Sequence, residues 1–409
     1  MPETNCRYFN GYKPCLKNPD TGLLGCNSRC PSISLSSHKI LIIHLGALGA
    51  VLRSTSLIAP ILRKYPNAHL TWVTQKPADQ FFKNVIEIDR VLTTSSEDLL
   101  ALSCLKFDVV FCIDKSLAAG GILNIVKKSH FTDGHKTQIF GFEVDENSGA
   151  IVPASKAATE LWELGLSNQK KFFENKKPET QLVTEALELD FQRDPYMIKL
   201  SQAELDLSTG RRASWAQRQE IVLGINTGCS GVISHKKLTV EAHRELITSF
   251  RSFGIKIVLL GGPEDRLRNQ QISHGLNVIS SPTEMGIRDG LISVQACDIV
   301  VSGDSLGMHM ALALNKWTVA WFGPTCAHEI DLFGLGVHVK TKAPCSPCWK
   351  RSCNKNPMCY DLVDLSEIID GVKKGIQWLM SSSIPRLSVI SSLPSRFYDT
   401  SKDFGPTIS

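Results

Sequence analysis

The sequence predicts an α/β protein made of two Rossmann-like domains facing across a cleft, on three observations. At 409 residues the chain exceeds what one core normally organises, since single cores stop growing at about 250–300 residues. Two separate stretches, 40–114 and 221–322, alternate strand-like with helix-like patterns, the signature of parallel sheets covered on both faces. Between them, residues 145–215 are more polar and carry Lys170, Lys171, Lys176 and Lys177.

Each element follows from its pattern. Ile40 to Leu45 is an unbroken apolar run, followed by a glycine turn and then Val51, Leu52, Leu57, Ile58, Ile61 and Leu62 at helical spacing. His69 to Thr74 alternates and is β-branched, with a short helix expected at Ala78–Lys83 and strands at Val85–Val91 and Phe107–Asp114. The polar segment carries expected helices at Ser155–Leu164 and Pro178–Glu188. The second alternation predicts strands at Ile221–Asn226, Lys256–Leu260, Asn277–Ser280, Asp298–Val301 and Thr318–Phe322. Helices between them are expected at Val240–Phe253, Arg266–Ser273, Arg288–Gln295 and Leu306–Leu314. The expected division is a Cys-rich N-terminal arm (1–36), a first domain (37–215), a second domain (216–380) with a Cys finger at 345–359, and a flexible Ser/Pro-rich tail (381–409).

Composition narrows the function. A hydrophobic share of 43% and a charged share of 21% describe a globular chain rather than a disordered one. The net charge of +5 permits an anionic partner without demanding one. Without a basic block and with few aromatics, a nucleic-acid partner is not expected. No secretory leader is evident, and the most apolar stretch is well short of the roughly 20 residues a membrane helix needs. A cytoplasmic protein with at most peripheral membrane contact is the expectation.

In such sheets ligands bind beyond the carboxyl ends of the strands, which directs attention to the loops there. Gly46-Ala47-Leu48-Gly49 joins the first strand to its helix and lets backbone approach a ligand. Asn226-Thr227-Gly228-Cys229-Ser230-Gly231, with Lys236 following, reads as a diphosphate cradle or as a plain surface loop with solvated lysines. Glu264, in Gly261-Gly262-Pro263-Glu264, suits ribose hydroxyls. Asp304, in Ser302-Gly303-Asp304-Ser305-Leu306-Gly307-Met308-His309, suits sugar hydroxyls or an N-cap.

The set formed by residues 40–53, the Lys236 loop, Gly-Gly-Pro-Glu (261–264), Gly-Asp-Ser-Leu-Gly-Met-His (303–309) and Phe-Gly-Pro-Thr (322–325) resembles glycosyltransferase family 9, the ADP-heptose:lipopolysaccharide heptosyltransferases. The resemblance runs in order from about residue 38 to about 375. It implies a GT-B fold and an inverting transfer of heptose from ADP-heptose to a lipopolysaccharide-core hydroxyl, with no catalytic metal. It also implies roles: Thr227, Gly228 and Lys236 at the diphosphate, Glu264 at the ribose, Asp304 at the heptose, and Ser305, Gly307 and His309 on the phosphate side.

One residue departs from the family pattern. Ala50 stands where the family's first loop keeps an aspartate taken to be the catalytic base. The chain is then a catalytically impaired nucleotide-sugar-binding or assembly protein, or another carboxylate serves. Asp114, at the end of its strand, is the candidate, with a helix N-cap as its competing role. A protein rather than a lipid acceptor is a further reading.

Thirteen cysteines complete the picture. Cys345, Cys348, Cys353 and Cys359 have the spacing of a tetrahedral zinc or iron site, and Cys6, Cys15, Cys26 and Cys30 form a looser set. Both are expected to be structural. Cys104, Cys112, Cys229, Cys297 and Cys326 read as small buried hydrophobes.

Overall fold

The computed structural model describes residues 3–9, 11, 15, 17, 26, 30–129 and 136–381; the expected tail beyond 381 lies outside them, as does much of the N-terminal arm. Two six-stranded sheets organise the chain. The first contains β1 (Lys39–Ile43), β2 (His69–Thr74), β3 (Arg90–Thr93), β4 (Val109–Cys112), β5 (Gln138–Val144) and β6 (Ile151–Pro153) in the order β3-β2-β1-β4-β5-β6. All its pairings are parallel except the edge pair β5–β6. The second contains β7 (Val222–Asn226), β8 (Lys256–Leu260), β9 (Ile279–Ser280), β10 (Ile299–Gly303), β11 (Trp317–Phe322) and β12 (Gly336–Lys340) in the order β12-β11-β10-β7-β8-β9, all parallel.

Numbered from its own first strand, each sheet has the order 3-2-1-4-5-6. Strand order therefore reverses twice, between β1 and β4 and between β7 and β10. A crevice opens at the carboxyl ends of each such pair. The apolar runs that predicted these strands follow from covering on both faces: Ile40, Leu41, Ile42 and Ile43 are fully buried. Truncating one of them, Ile42→Ala, is a change of the kind that costs about 2–5 kcal/mol.

Several expected elements shift. Ala78–Phe82 is a 3₁₀ turn rather than an α-helix, and the next strand begins at Arg90 rather than Val85. A helix absent from the sequence reading, Gln202–Trp215, is fixed at its start by a capping box between Ser201 and Glu204. It packs on the second half, where Arg211 holds Asp289 at 2.6 Å and Arg212 holds Asp298 at 2.9 Å. No helix among the described residues is long and apolar enough to cross a membrane.

Candidate active site

The second sheet brings most of the sequence-selected residues together. Asn226 ends β7, and its amide donates to the Gly228 carbonyl at 2.9 Å and to the Ser302 and Ser305 hydroxyls at 3.1 and 2.9 Å. This one side chain ties the Thr227–Gly228 loop to the start of the helix Leu306–Ala313. Gly307 has to be glycine here, because a Cβ would lie 2.6 Å from the Asn226 carboxamide carbon. Gly303 is equally constrained, since a Cβ there would run into the Lys236 carbonyl oxygen. Small residues in the motif therefore serve close approach between loops.

Asp304 is not an N-cap. Ser305 occupies that position without capping by its side chain. Asp304 instead pairs with Lys236, Nζ to Oδ2 at 3.0 Å, with both side chains largely buried. Burial pushes the Asp304 carboxyl upward, but the adjacent Lys236 ammonium outweighs it and holds the pKa below the ordinary value. His309 is driven down to about 3, first by burial and then by Arg53, so its ring is neutral. Its Nδ1 lies 3.4 Å from the Tyr196 hydroxyl.

The first loop closes over this ring. A Cβ on Gly49 would sit 2.5 Å from His309 Cδ2, so glycine at 49 is what lets the two halves meet. Beneath the loop lies a cavity of roughly 170 Å³ whose lining includes His44, Ala50, Arg53, Asp114, Lys115 and Glu179. Arg53 and Glu179 pair at 2.5 Å. Asp114 does face this cavity, and its Oδ2 accepts the Leu45 N–H at 2.9 Å rather than capping a helix. Burial lowers His44 to about 4 and also lowers Lys115.

The remaining selected residues lie further out. Glu264 is exposed, its carboxylate folded back over Gly262. Its neighbour Asp265 is buried and takes the Gly262 N–H at 3.0 Å. Thr227 is buried, with its hydroxyl 2.5 Å from Asn269 Oδ1.

Residues 156–359 match the profile of Glycosyltransferase family 9 (heptosyltransferase). The chain belongs to glycosyltransferase family 9. A lipopolysaccharide heptosyltransferase 1 of Pseudomonas aeruginosa is 33% identical over 101 residues, a match spanning 24% of this chain and only 28% of that relative. The family 9 glycosyl transferase of Veillonella parvula superposes with a TM-score of 0.63 at 15% identity, covering 85% of this chain and 99% of that one. The ADP-heptose lipopolysaccharide heptosyltransferase II of E. coli superposes with a TM-score of 0.58 at 14% identity, covering 84% and 100%. The fold is thus the GT-B arrangement of paired Rossmann-like units.

Within this family 9 chain, sequence reasoning gave no separate role to Arg53, Glu179, Tyr196, Asn226 or Glu329. Asn226 opens the selected loop at the end of its strand and Arg53 ends the 40–53 stretch; the other three gave no usable signal. Glu329 follows β11 in a 3₁₀ turn and is 7% exposed. Burial raises its carboxyl to about 7, against the nearby Lys171 ammonium at 3.6 Å.

Of the finger thiols, Cys345, Cys348 and Cys359 are half-buried and Cys353 is exposed. Burial, then the thiols of Cys348, Cys353 and Cys345, raise Cys359 to about 11. Among the described residues, no three His, Cys, Asp or Glu side chains are gathered so as to hold a metal ion, which applies also to Cys6, Cys15, Cys26 and Cys30. Of the five cysteines expected in the core, four are buried; Cys104 is exposed, because it ends the helix Ser96–Ser103 on its solvent side.

Proposed function

We propose that this chain is an inverting glycosyltransferase that moves heptose from ADP-heptose to a hydroxyl of a lipopolysaccharide core or related glycan. The observation that carries the reading is the convergence of Lys236, Asp304 and His309 on the helix start beyond β7 and β10. In the proposed complex Lys236 leaves Asp304 for the diphosphate. Asp304 then turns to the sugar hydroxyls, and Thr227, Gly228, Ser305 and Gly307 line the phosphate side with hydroxyl and backbone donors. Glu264 reaches the ribose from the rim. Neutral His309 donates from one ring nitrogen to an anion while Tyr196 faces the other. These donors offset the charge of the departing ADP, so the reading needs no divalent ion at the reacting centre.

Inversion also requires a base beside the acceptor hydroxyl. Ala50 offers none, and Asp114 lines the same cavity. The experiment measures ADP release from ADP-heptose with a core acceptor for the wild type, Ala50→Asp and Asp114→Asn. Activity in the wild type that falls at least about 100-fold in Asp114→Asn supports Asp114 as base. Activity in Ala50→Asp alone supports the second reading, a nucleotide-sugar-binding relative that has lost its base. No ADP binding by any version rejects both. We propose further that the 345–359 finger takes structural zinc or iron and that the N-terminal cysteines form a second site. Four cysteines at this spacing along the sequence suit either metal, and elemental analysis of purified protein checks it. Cytoplasmic action at the inner face of a membrane completes the reading, with the lysine-bearing middle segment meeting an anionic acceptor.

A further inference from the structure

The finger ends against the donor site, at Trp349. The Cys348 and Trp349 N–H groups both donate to the Pro324 carbonyl at 2.9 Å, and the Ser346 hydroxyl donates to the Gly323 carbonyl at 2.5 Å. Thr341 donates to the Cys359 carbonyl at 2.5 Å. A Cβ on Gly323 would come within 3.0 Å of Cys359 Sγ, so the finger sits flush on the loop after β11. Trp349 itself has φ of 52°, a left-handed backbone that a bulky residue adopts only where its surroundings hold it. Its indole N–H reaches Cys326 Sγ at 3.4 Å, while 36% of the residue stays exposed.

Two ammonium groups converge on that ring. Lys171 Nζ, from the helical turn Lys170–Glu174, is 4.4 Å from the ring centroid; Lys236 Nζ, from the second half, is 5.8 Å away. An aromatic face attracts a cation without consuming its N–H donors. Both ammonium groups therefore keep hydrogen-bonding capacity, and each also has a carboxylate nearby: Asp304 at 3.0 Å for Lys236 and Glu329 at 3.6 Å for Lys171. Two like charges sharing one ring repel, and an anion with several oxygens set between them relieves that repulsion. A diphosphate has the charge and the oxygens to do so.

We infer that Lys171 is a second diphosphate-binding residue, facing Lys236 across Trp349, so that donor binding clasps the two halves together. This rests on the reading of Lys236 as a diphosphate ligand. Trp349 is a positioning residue in this arrangement, and the cysteine finger is its mount.

Calorimetry on the full chain tests it, with ADP and adenosine as probes. Lys171→Ala and Trp349→Ala are each expected to weaken ADP about tenfold and leave adenosine within twofold. Lys171→Arg and Trp349→Phe, which keep the cation and the aromatic face, are expected to stay within threefold of wild type for ADP. They also serve as readouts should an alanine variant fail to fold. ADP affinity unchanged in Lys171→Ala and Trp349→Ala overturns the inference, as does loss of ADP and adenosine binding together in Trp349→Phe. If Lys236→Ala abolishes ADP binding while Lys171→Ala does not, this inference alone fails. If the wild type binds no ADP, the proposed function falls with it.

Discussion

The two halves repeat one sheet order but put different chemistry at its fork. Beyond β7 and β10, an amide, two serine hydroxyls, an ion pair and a neutral histidine are locked together by Asn226 and by glycines that admit their neighbours. Beyond β1 and β4 there is instead a cavity with Ala50 on its wall and a second ion pair, Arg53–Glu179. Identical topology thus supplies the place for a ligand and not its recognition. Side chains added to the loops give one fork a tightly tied cluster of donors and charges and leave the other an open chamber.

The sharpest way to break this comparison is to remove the cation from the built fork. Lys236→Ala should weaken ADP-sugar binding by about 1.5–3 kcal/mol, the range for a hydrogen bond to a charged group. Ala50→Asp, in the other fork, should leave that affinity within twofold. Equal losses in isothermal titration would show that the donor occupies both forks.

A second test uses pH. Burial raises Glu329 from its ordinary 4.5 to about 7, so its contribution to folding is full below pH 4.5 and is lost as pH rises to 7. His309 and His44, lowered to about 3 and about 4, act in the opposite sense: their contribution is full above 6.5 and drains as pH falls toward those values. Glu329→Gln should therefore stabilise the protein at pH 8, by about 2–3 kcal/mol at most, and have little effect at pH 4.5. Denaturant titrations of both proteins at the two pH values measure the difference. A uniform shift at both would mean that packing, not ionisation, governs Glu329.

The smallest effect concerns the seam. Gly49→Ala would press a methyl group onto His309, costing about 1–3 kcal/mol in stability as the two halves part. A melting midpoint unchanged by this substitution would show that the loop and His309 are not held together.

Much of this was readable from the chain. Ile40–Leu45 and Ile221–Asn226 are apolar runs with glycine turns after them, and buried parallel strands leave little else such runs can be. Lys236, Asp304 and His309 stood out because they follow strand ends. What stayed hidden depends on distant partners. Gln202–Trp215 is polar enough to pass for linker, and its packing on Asp289 and Asp298 is a tertiary fact. Asp304 looked like an N-cap because local sequence cannot reveal a lysine 68 positions earlier. Glu329 carries no motif and Arg53 merely ends the 40–53 stretch; burial among one another's charges marks them out.

The Lys236–Asp304 pair has a kinetic consequence. A cleft in which the cation already has its counter-charge projects little field into solvent, so under the proposed function an incoming nucleotide sugar is not drawn from afar. Capture then depends on a swap of partners at close range, in which the sugar's hydroxyls release the carboxylate while its phosphates take the amine. Such a cleft favours a molecule that carries both groups, and a bare phosphate, able to satisfy only half the exchange, would be a poor competitor.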